Sequence, residues 1–192
     1  SAMSDQTDME ILEKIKAGDR EAYAGIVSEY QDRIFRYLYA RIGNYDEALD
    51  ATQDVFIQVM ESLGSFRGES KFSTWLYSVT ANYCRNYRRK HGRAVIVSIN
   101  RTIGGEEMEL PIEDERERVE EKVLEDEMLE AMRDELSKLP DDYREILTLR
   151  DIEGLPYEEI ASVTNISLSN VKVRIHRGRE MLKKRLAQRG LL

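Results

Sequence analysis

Apolar residues return every three or four positions along almost the whole chain, and glycine, asparagine or proline interrupts the pattern at intervals. Over residues 20–41, Tyr23, Ile26, Val27, Tyr30, Ile34 and Leu38 share one face, the spacing of an amphipathic helix. Asp19 stands where its carboxylate can cap that helix, and Gly43-Asn44 breaks it. Thr7-Asp8-Met9-Glu10 has capping-box spacing and predicts a short helix to about Lys16. Asp46 is the expected cap of a helix over 47–63, ended by Gly64. On it Ala48, Ala51, Val55 and Val59 share a face that Leu49, Phe56, Met60 and Leu63 extend. Ser70 opens the next helix, which runs through about Lys90 and stops at Gly92. Residues 94–100 are rich in β-branched side chains but have no partner strand, and read as extended linker. Gly104-Gly105 and Pro111 mark a loop. A polar helix from about Arg116 to Lys138 carries Val123, Leu124, Met128, Met132 and Leu136 on one side, and another covers 142–150 before Glu153-Gly154. The expected fold is all-α, with two small helical domains over 8–92 and 120–190 joined by a linker over 93–119.

The segment from Leu155 to Arg179 predicts two short helices joined by a tight turn. Pro156 and residues 158–163 form the first, with Ile160, Ala161 and Val163 inward. Asn165 sits in the turn, where the left-handed conformation costs Asn little. Ser167 or Ser169 can cap the second helix, whose Val171 and Ile175 lie four residues apart. The opposite face carries Lys172, Arg174, His176, Arg177 and Arg179. That is the layout of a helix-turn-helix whose basic second helix suits the major groove; a solvated helical hairpin is the alternative. Lys172, Arg174, His176 and Arg177 are the candidates for bases and adjacent phosphates, while Lys183, Lys184 and Arg185, further along, suit phosphates or solvent.

A formal net charge of −8 looks wrong for a DNA binder until its distribution is followed. Residues 66–93 hold Arg67, Lys71, Arg85, Arg88, Arg89, Lys90 and Arg93 against Glu69 alone, and residues 170–189 are similarly basic. Between them lies an acidic block from Glu106 to Glu127. Local patches rather than net charge set phosphate affinity, so this segregation points to two DNA-touching modules and a separating segment. The single cysteine, Cys84, allows no internal disulfide, fits a reducing cytoplasm, and reads as a small buried residue rather than a redox switch. No apolar run approaches a membrane span, so no membrane insertion is expected. Ser1-Ala2-Met3 reads as a cloning remnant with no part in the fold.

Two further patterns bear on chemistry. On the helix over 47–63, Asp50, Asp54 and Glu61 lie on the polar side with Gln53, Ile57 and Gln58 nearby. Such a stripe is ordinarily a solvated face, but Ile57 is apolar within it. Residues 66–90 interleave Phe66, Phe72, Trp75, Tyr77, Tyr83 and Tyr87 with cations, a combination that lets rings stack on unpaired bases while cations follow the backbone. Phe72, Trp75 and Leu76 recur at helical spacing and read as core, whereas Phe66, in a loop between Gly64 and Gly68, is harder to explain that way. Catalysis finds no support: His91 and His176 lie among cations, away from any cluster at metal-ligand spacing, and no phosphate loop or nucleophile motif is present. No catalytic residue, metal or cofactor is therefore expected.

Asp50-Ala-Thr-Gln-Asp-Val-Phe-Ile-Gln-Val-Met60, Leu63-Gly-Ser-Phe-Arg-Gly-Glu-Ser-Lys-Phe-Ser-Thr-Trp-Leu-Tyr77 and Asn82-Tyr-Cys-Arg-Asn-Tyr-Arg-Arg-Lys90 resemble region 2 of bacterial sigma factors. Leu139-Pro-Asp-Asp-Tyr-Arg-Glu-Ile-Leu147 and the helix-turn-helix resemble region 4. With no room for region 3, the chain is most similar to the compact extracytoplasmic-function group, over about residues 8–90 and 120–188. Ser169-Asn170-Val171 departs from the Gly-Thr-Val more usual there. The resemblance implies a subunit that directs core RNA polymerase to promoters in a stress or envelope response, recognising minus-thirty-five and minus-ten elements and melting the latter. It implies that Asp50, Gln53, Asp54 and Ile57 dock on the clamp helices of the polymerase's largest subunit, and that the flap of the second subunit is a further contact. It implies that Phe66 and Asn82 capture a flipped minus-ten base, with Arg85, Arg88 and Arg89 holding the backbone nearby. Promoter DNA, duplex and single-stranded, is then the nucleic-acid partner. The acidic connector either solubilises or threads the polymerase's RNA path. An anti-sigma factor is a partner common in the group, and the expected place is the cytoplasm, in some cases held at the inner membrane face by that factor. A free-standing helix-turn-helix regulator and an enzyme with an appended DNA-binding domain are the competing classes, and the aromatic-basic segment argues against the former.

Overall fold

Asp19 caps the longest N-terminal helix as its position suggests, accepting from the Ala22 amide at 3.1 Å. The computed structural model describes residues 5–91 and 127–192, and every statement of structure concerns these. Helix α1 (Asp5–Lys16) is followed by α2 (Arg20–Ile42). Thr7 falls inside α1 rather than at a cap, because the helix already runs from Asp5. Gly43, at φ 82°, closes α2 in the left-handed conformation that glycine adopts without penalty. Asn44 then caps α3 (Tyr45–Ser62), its side chain accepting from Glu47 N at 3.0 Å. The expected cap, Asp46, lies instead in the first turn, where a carboxylate favours the helix dipole.

A 3-10 turn over Leu63–Ser65 and a loop lead into α4 (Phe72–His91). Helices α2, α3 and α4 bury a shared core of Ile26, Ile34, Leu38, Ala48, Ala51, Val55, Val59, Leu76 and Ala81. Phe66 belongs to that core, 5% exposed and set edge-on to Phe72. The loop does not leave it outside, because the 3-10 turn folds the chain back over Phe72 and Trp75. Leu49 and Met60, expected to extend the buried face of α3, are 42% and 57% exposed. They lie beyond the stripe defined by Ala48, Ala51, Val55 and Val59, which already fills the gap to α2.

In the C-terminal half, residues 127–137 are helical (α5). Helix α6 (Asp141–Leu147) runs into a π-turn at Thr148–Ile152, and α7 (Tyr157–Thr164) and α8 (Leu168–Gln188) follow. The inward face of α5 is Ala131, Glu135 and Leu136, with Leu139 just beyond it; Met128 and Met132 face outward. Glu135 rather than a methionine occupies the interior because Lys138, Arg185 and Arg189 reach its carboxylate, the nearest at 2.8 Å. Glu135 and Asp134 thereby tie α5 to the end of α8. The expected linker over 93–119, the extended reading of 94–100 and the start of the polar helix lie outside the described residues.

The two halves share one continuous core, from Leu12 to Ile175, and meet along a polar seam. Arg41, wholly buried, donates to Tyr37 Oη at 2.7 Å and to Asp141 at 2.9 Å. Glu153, its side chain fully buried, accepts two bonds from Arg36 at 2.8 Å and one from Tyr77 Oη at 2.6 Å. Cys84 lies in the core beside this seam with its thiol pKa pushed up by burial.

Candidate nucleic-acid interface

Helices α7 and α8 make the expected helix-turn-helix. Asn165 turns the chain at φ 56°, and Ser167 caps α8 by accepting from Asn170 N at 3.2 Å. Val171 and Ile175 sink into the core against Ile160 and Val163. This leaves Lys172, His176 and Arg177 exposed along one side, with Arg174 beside them. Arg174 reaches toward Asp142 at 3.7 Å, and His176 toward Glu180 at 3.5 Å. Lys172 and Arg177 are exposed and make no ion pair among the described residues. Arg179 is held away by a two-pronged pair with Asp151, which raises its pKa. Arg185, expected on phosphate or in solvent, is committed to Glu135 at 3.0 Å, while Lys183 and Lys184 remain exposed.

Gly178 was not singled out by sequence reasoning, yet it sets the position of α8. A Cβ there would lie 3.2 Å from the Leu147 side chain and 3.4 Å from Tyr143. A glycine inside a helix costs stability, so its presence in a strongly helical segment is the signal that another element passes close by.

On the N-terminal half, Asp50, Gln53, Asp54 and Ile57 are all exposed, on an outer strip of α3 that also bears Leu49 and Met60. Ile57 is 57% exposed, an apolar side chain with nothing over it. The strip is braced from α4: Tyr83 Oη donates to Asp54 at 2.9 Å and Tyr87 Oη to Glu47 at 2.7 Å. A hollow of about 820 Å³ runs between the two helices, lined in part by Asp54, Ile57, Tyr83, Asn86 and Arg89. Around the loop after α3, Ser65, Phe66, Arg67, Glu69, Ser70 and Trp75 enclose a second hollow of about 300 Å³. Asn82 is exposed two turns beyond Trp75 on the same face of α4, with Asn86 and Arg89 following. Arg85 and Arg88 turn the other way and are engaged by Glu145, at 2.7 Å, and by Asp141.

Residues 26–94 match the family Sigma-70 region 2, and residues 129–182 match Sigma-70, region 4. The ECF RNA polymerase sigma factor SigW of Bacillus subtilis is 35% identical, over 91% of this chain and 94% of its own. The RNA polymerase sigma-H factor of Pseudomonas aeruginosa is 34% identical over 96% of both chains. The chain belongs to the ECF sigma factors. CnrH, solved in complex with the cytosolic domain of CnrY, has the same fold at TM-score 0.66 and 21% identity, over 93% of this chain and 96% of that one.

A sigma factor is an initiation subunit rather than an enzyme. Among the described residues, no group of His, Cys, Asp or Glu is placed to hold a metal, and no helix is long and apolar enough to cross a membrane. The structure brings Phe66 and Trp75 to one hollow and leaves Asn82 and Arg89 on the same side of the sigma factor. It separates Arg85 and Arg88 from them, on the seam with the C-terminal half. The exposed Leu49 and Met60 went unrecognised because a broad apolar arc on α3 does not reveal where its buried part ends.

Proposed function

We propose that this sigma factor docks on core RNA polymerase through the outer strip of α3 and carries it to promoters read by α8 and by α4. The observation that carries the reading is the strip itself. Asp50, Gln53, Asp54 and Ile57 stand exposed together, and Leu49 and Met60 widen the apolar area beside the carboxylates. An acidic strip with an uncovered apolar centre suits a basic, partly apolar partner helix; the clamp helices of the largest subunit are that partner, with the flap of the second subunit receiving the C-terminal half. The N-terminal half of α8 enters the major groove at the minus-thirty-five element, with Lys172, Arg174, His176 and Arg177 toward bases and phosphates.

At the minus-ten element the hollow beside Phe66 and Trp75 accepts an extruded base, and the Asn82 amide supplies a donor and an acceptor to a base edge. Phe66 contributes the part of its ring that lines the hollow, since the rest is packed on Phe72 and Trp75. Arg89 follows the strand on the same side. The reading places the protein in the cytoplasm, in a stress or envelope response, with an anti-sigma factor as regulatory partner. The RpoE sigma factor of Bartonella quintana, solved with the anti-sigma factor NepR, supports that last point by its fold (TM-score 0.64, 21% identity, over 86% of this chain and 96% of that one).

Capture of core polymerase by the tagged chain tests the docking strip. Ile57→Glu and Asp54→Arg should weaken capture at least tenfold while leaving helicity unchanged, because both side chains are exposed. Equal capture by wild type and both variants would remove α3 as the docking element. With polymerase bound, Asn82→Ala should lower permanganate reactivity of minus-ten thymines, and unchanged reactivity would place the base pocket elsewhere.

A further inference from the structure

Helix α1 lies before the residues that match Sigma-70 region 2, yet it reaches the loop that shapes the hollow beside Phe66. Leu12, 1% exposed, roots α1 in the core, with Ile11 and Ile15 packed against the same core. The helix ends in a basic turn, from which Lys16 Nζ donates to the Phe66 carbonyl at 3.2 Å. Phe66 leaves the 3-10 turn in an extended conformation, and its amide donates back to Leu63 O at 3.2 Å. Both backbone groups of Phe66 are thus engaged, one by the turn and one by α1. Among the described residues, the Lys16 bond is the only hydrogen bond that enters residues 66–70 from outside the stretch 63–71. Two residues on, Gly68 stands at φ 74°, a conformation that strains other residues. A Cβ there would lie 3.3 Å from Met9 Cε and 3.4 Å from Met9 Sδ, so Met9 of α1 takes the space a side chain would need.

We propose that Lys16 and Met9 are positioning residues for the minus-ten hollow: α1 is a strut that fixes the loop over 66–70 and so sets which base the hollow admits. The inference rests on the reading above that this hollow accepts an extruded base, and adds what holds its wall. Met9 and Lys16 stand two helical turns apart on one face of α1, so a single side of the helix lies along the loop. A peptide unit is planar, so a bond to the Phe66 carbonyl fixes the Phe66–Arg67 unit as a whole. That unit joins two residues that line the hollow. An extruded base is discriminated by walls already in place to meet it, and a wall free to shift accepts several bases with similar affinity. Lys16 is otherwise exposed and Met9 is 41% exposed, so neither fills the core, and their effect falls on the loop.

The test uses polymerase holoenzyme assembled with the full chain, and a single-stranded minus-ten oligonucleotide selected from a random pool by the wild-type holoenzyme. An abasic site is placed at each position of the oligonucleotide in turn. Wild type should lose about tenfold in affinity at the captured position, the worth of one stacked base. Lys16→Met keeps the apolar stem and removes the donor. It should cut that penalty to about threefold while leaving affinity for the abasic oligonucleotide unchanged. Lys16→Arg, which restores a donor of similar reach, should recover most of the discrimination. Met9→Ala, which touches no charge, should lower the penalty in the same sense, and takes the place of Lys16→Met if that variant loses helicity. A loss of stability alone does not change the ratio of the two affinities. An unchanged ratio for Lys16→Met, or a fall shared equally by the intact and abasic oligonucleotides, overturns the positioning role and leaves the hollow as the base site. A wild type indifferent to an abasic site at every position overturns the base-capturing reading of the hollow, and the positioning role with it.

Discussion

Replacing Gly178 with alanine sets two effects of known sign against each other. In a helix interior alanine is better than glycine by about 0.8–1.0 kcal/mol, so propensity alone predicts a more stable chain. The added methyl, however, would meet Leu147 at 3.2 Å and Tyr143 at 3.4 Å. Leu147 is 1% exposed and enclosed by the core, so it has little room to yield. Overpacking of this kind costs about 1–3 kcal/mol. The net expectation is therefore a loss of about 0–2 kcal/mol, and Gly178→Val, with two more carbons and a stiff χ1, should lose more. Urea unfolding followed by circular dichroism measures both. The same variants keep every cation on α8, so any fall in minus-thirty-five affinity by polymerase holoenzyme reports displacement of the helix and not loss of charge. A Gly178→Ala variant stabilised by about 1 kcal/mol, with unchanged promoter affinity, would refute the claim that close packing on α6 fixes α8.

Arg177→Ala should alter base preference at the minus-thirty-five element, since a good bidentate contact discriminates by roughly 1–3 kcal/mol, whereas Lys184→Ala should lower affinity evenly across sequences. Selection from a randomised promoter separates these outcomes, and an unaltered logo for Arg177→Ala would move recognition elsewhere on α8. Acid should weaken the seam in a defined window. Burial opposes ionisation of Asp141, but Arg41 and Arg88 outweigh it and hold its pKa below the usual value. A lowered folded pKa gives stability that is complete above the unfolded value of about 3.9 and is lost as pH falls through the folded one. Asp134 and Glu135, lowered chiefly by Lys138, act in the same direction. Thermal midpoints should thus hold from about pH 8 to 5 and drop below about pH 4; a decline already under way at pH 6 would contradict this.

Local chemistry was legible where it was local. The Asp19 and Ser167 caps and the Asn165 turn depend on residues within three positions of one another, and all three appear. Sequence placed the cap of α3 at Asp46 and read Asn44 only as part of the break, whereas Asn44 is the residue whose side chain accepts from Glu47 N. Phe66 misled because a glycine-flanked loop suggests exposure, while a 3-10 turn can fold such a residue inward. Met128 and Met132 misled for the opposite reason: an acidic residue, Glu135, holds the interior position through three cations distant from it in sequence or across a turn. The seam had no local signature at all. Arg36 and Glu153 are 117 residues apart, and nothing near either announces its partner. The cations of residues 66–93 are plain in the sequence, but that Arg85 and Arg88 face the other half rather than solvent is a property of the packed chain.

The Asp54 carboxylate is shared property. It stands on the outer strip of α3 and also receives the Tyr83 hydroxyl of α4 at 2.9 Å, one residue beyond Asn82. A ligand of Asp54 must therefore either tolerate that phenol or displace it, and displacement frees a residue adjacent to the exposed amide. Thermodynamic linkage makes such an arrangement reciprocal: whatever the α3 occupant does to the occupancy of α4, the α4 occupant does to α3 by the same factor. If the proposed surfaces on α3 and α4 are both occupied in the working complex, this hydrogen bond is the direct link between them, and a Tyr83→Phe variant would measure what it contributes.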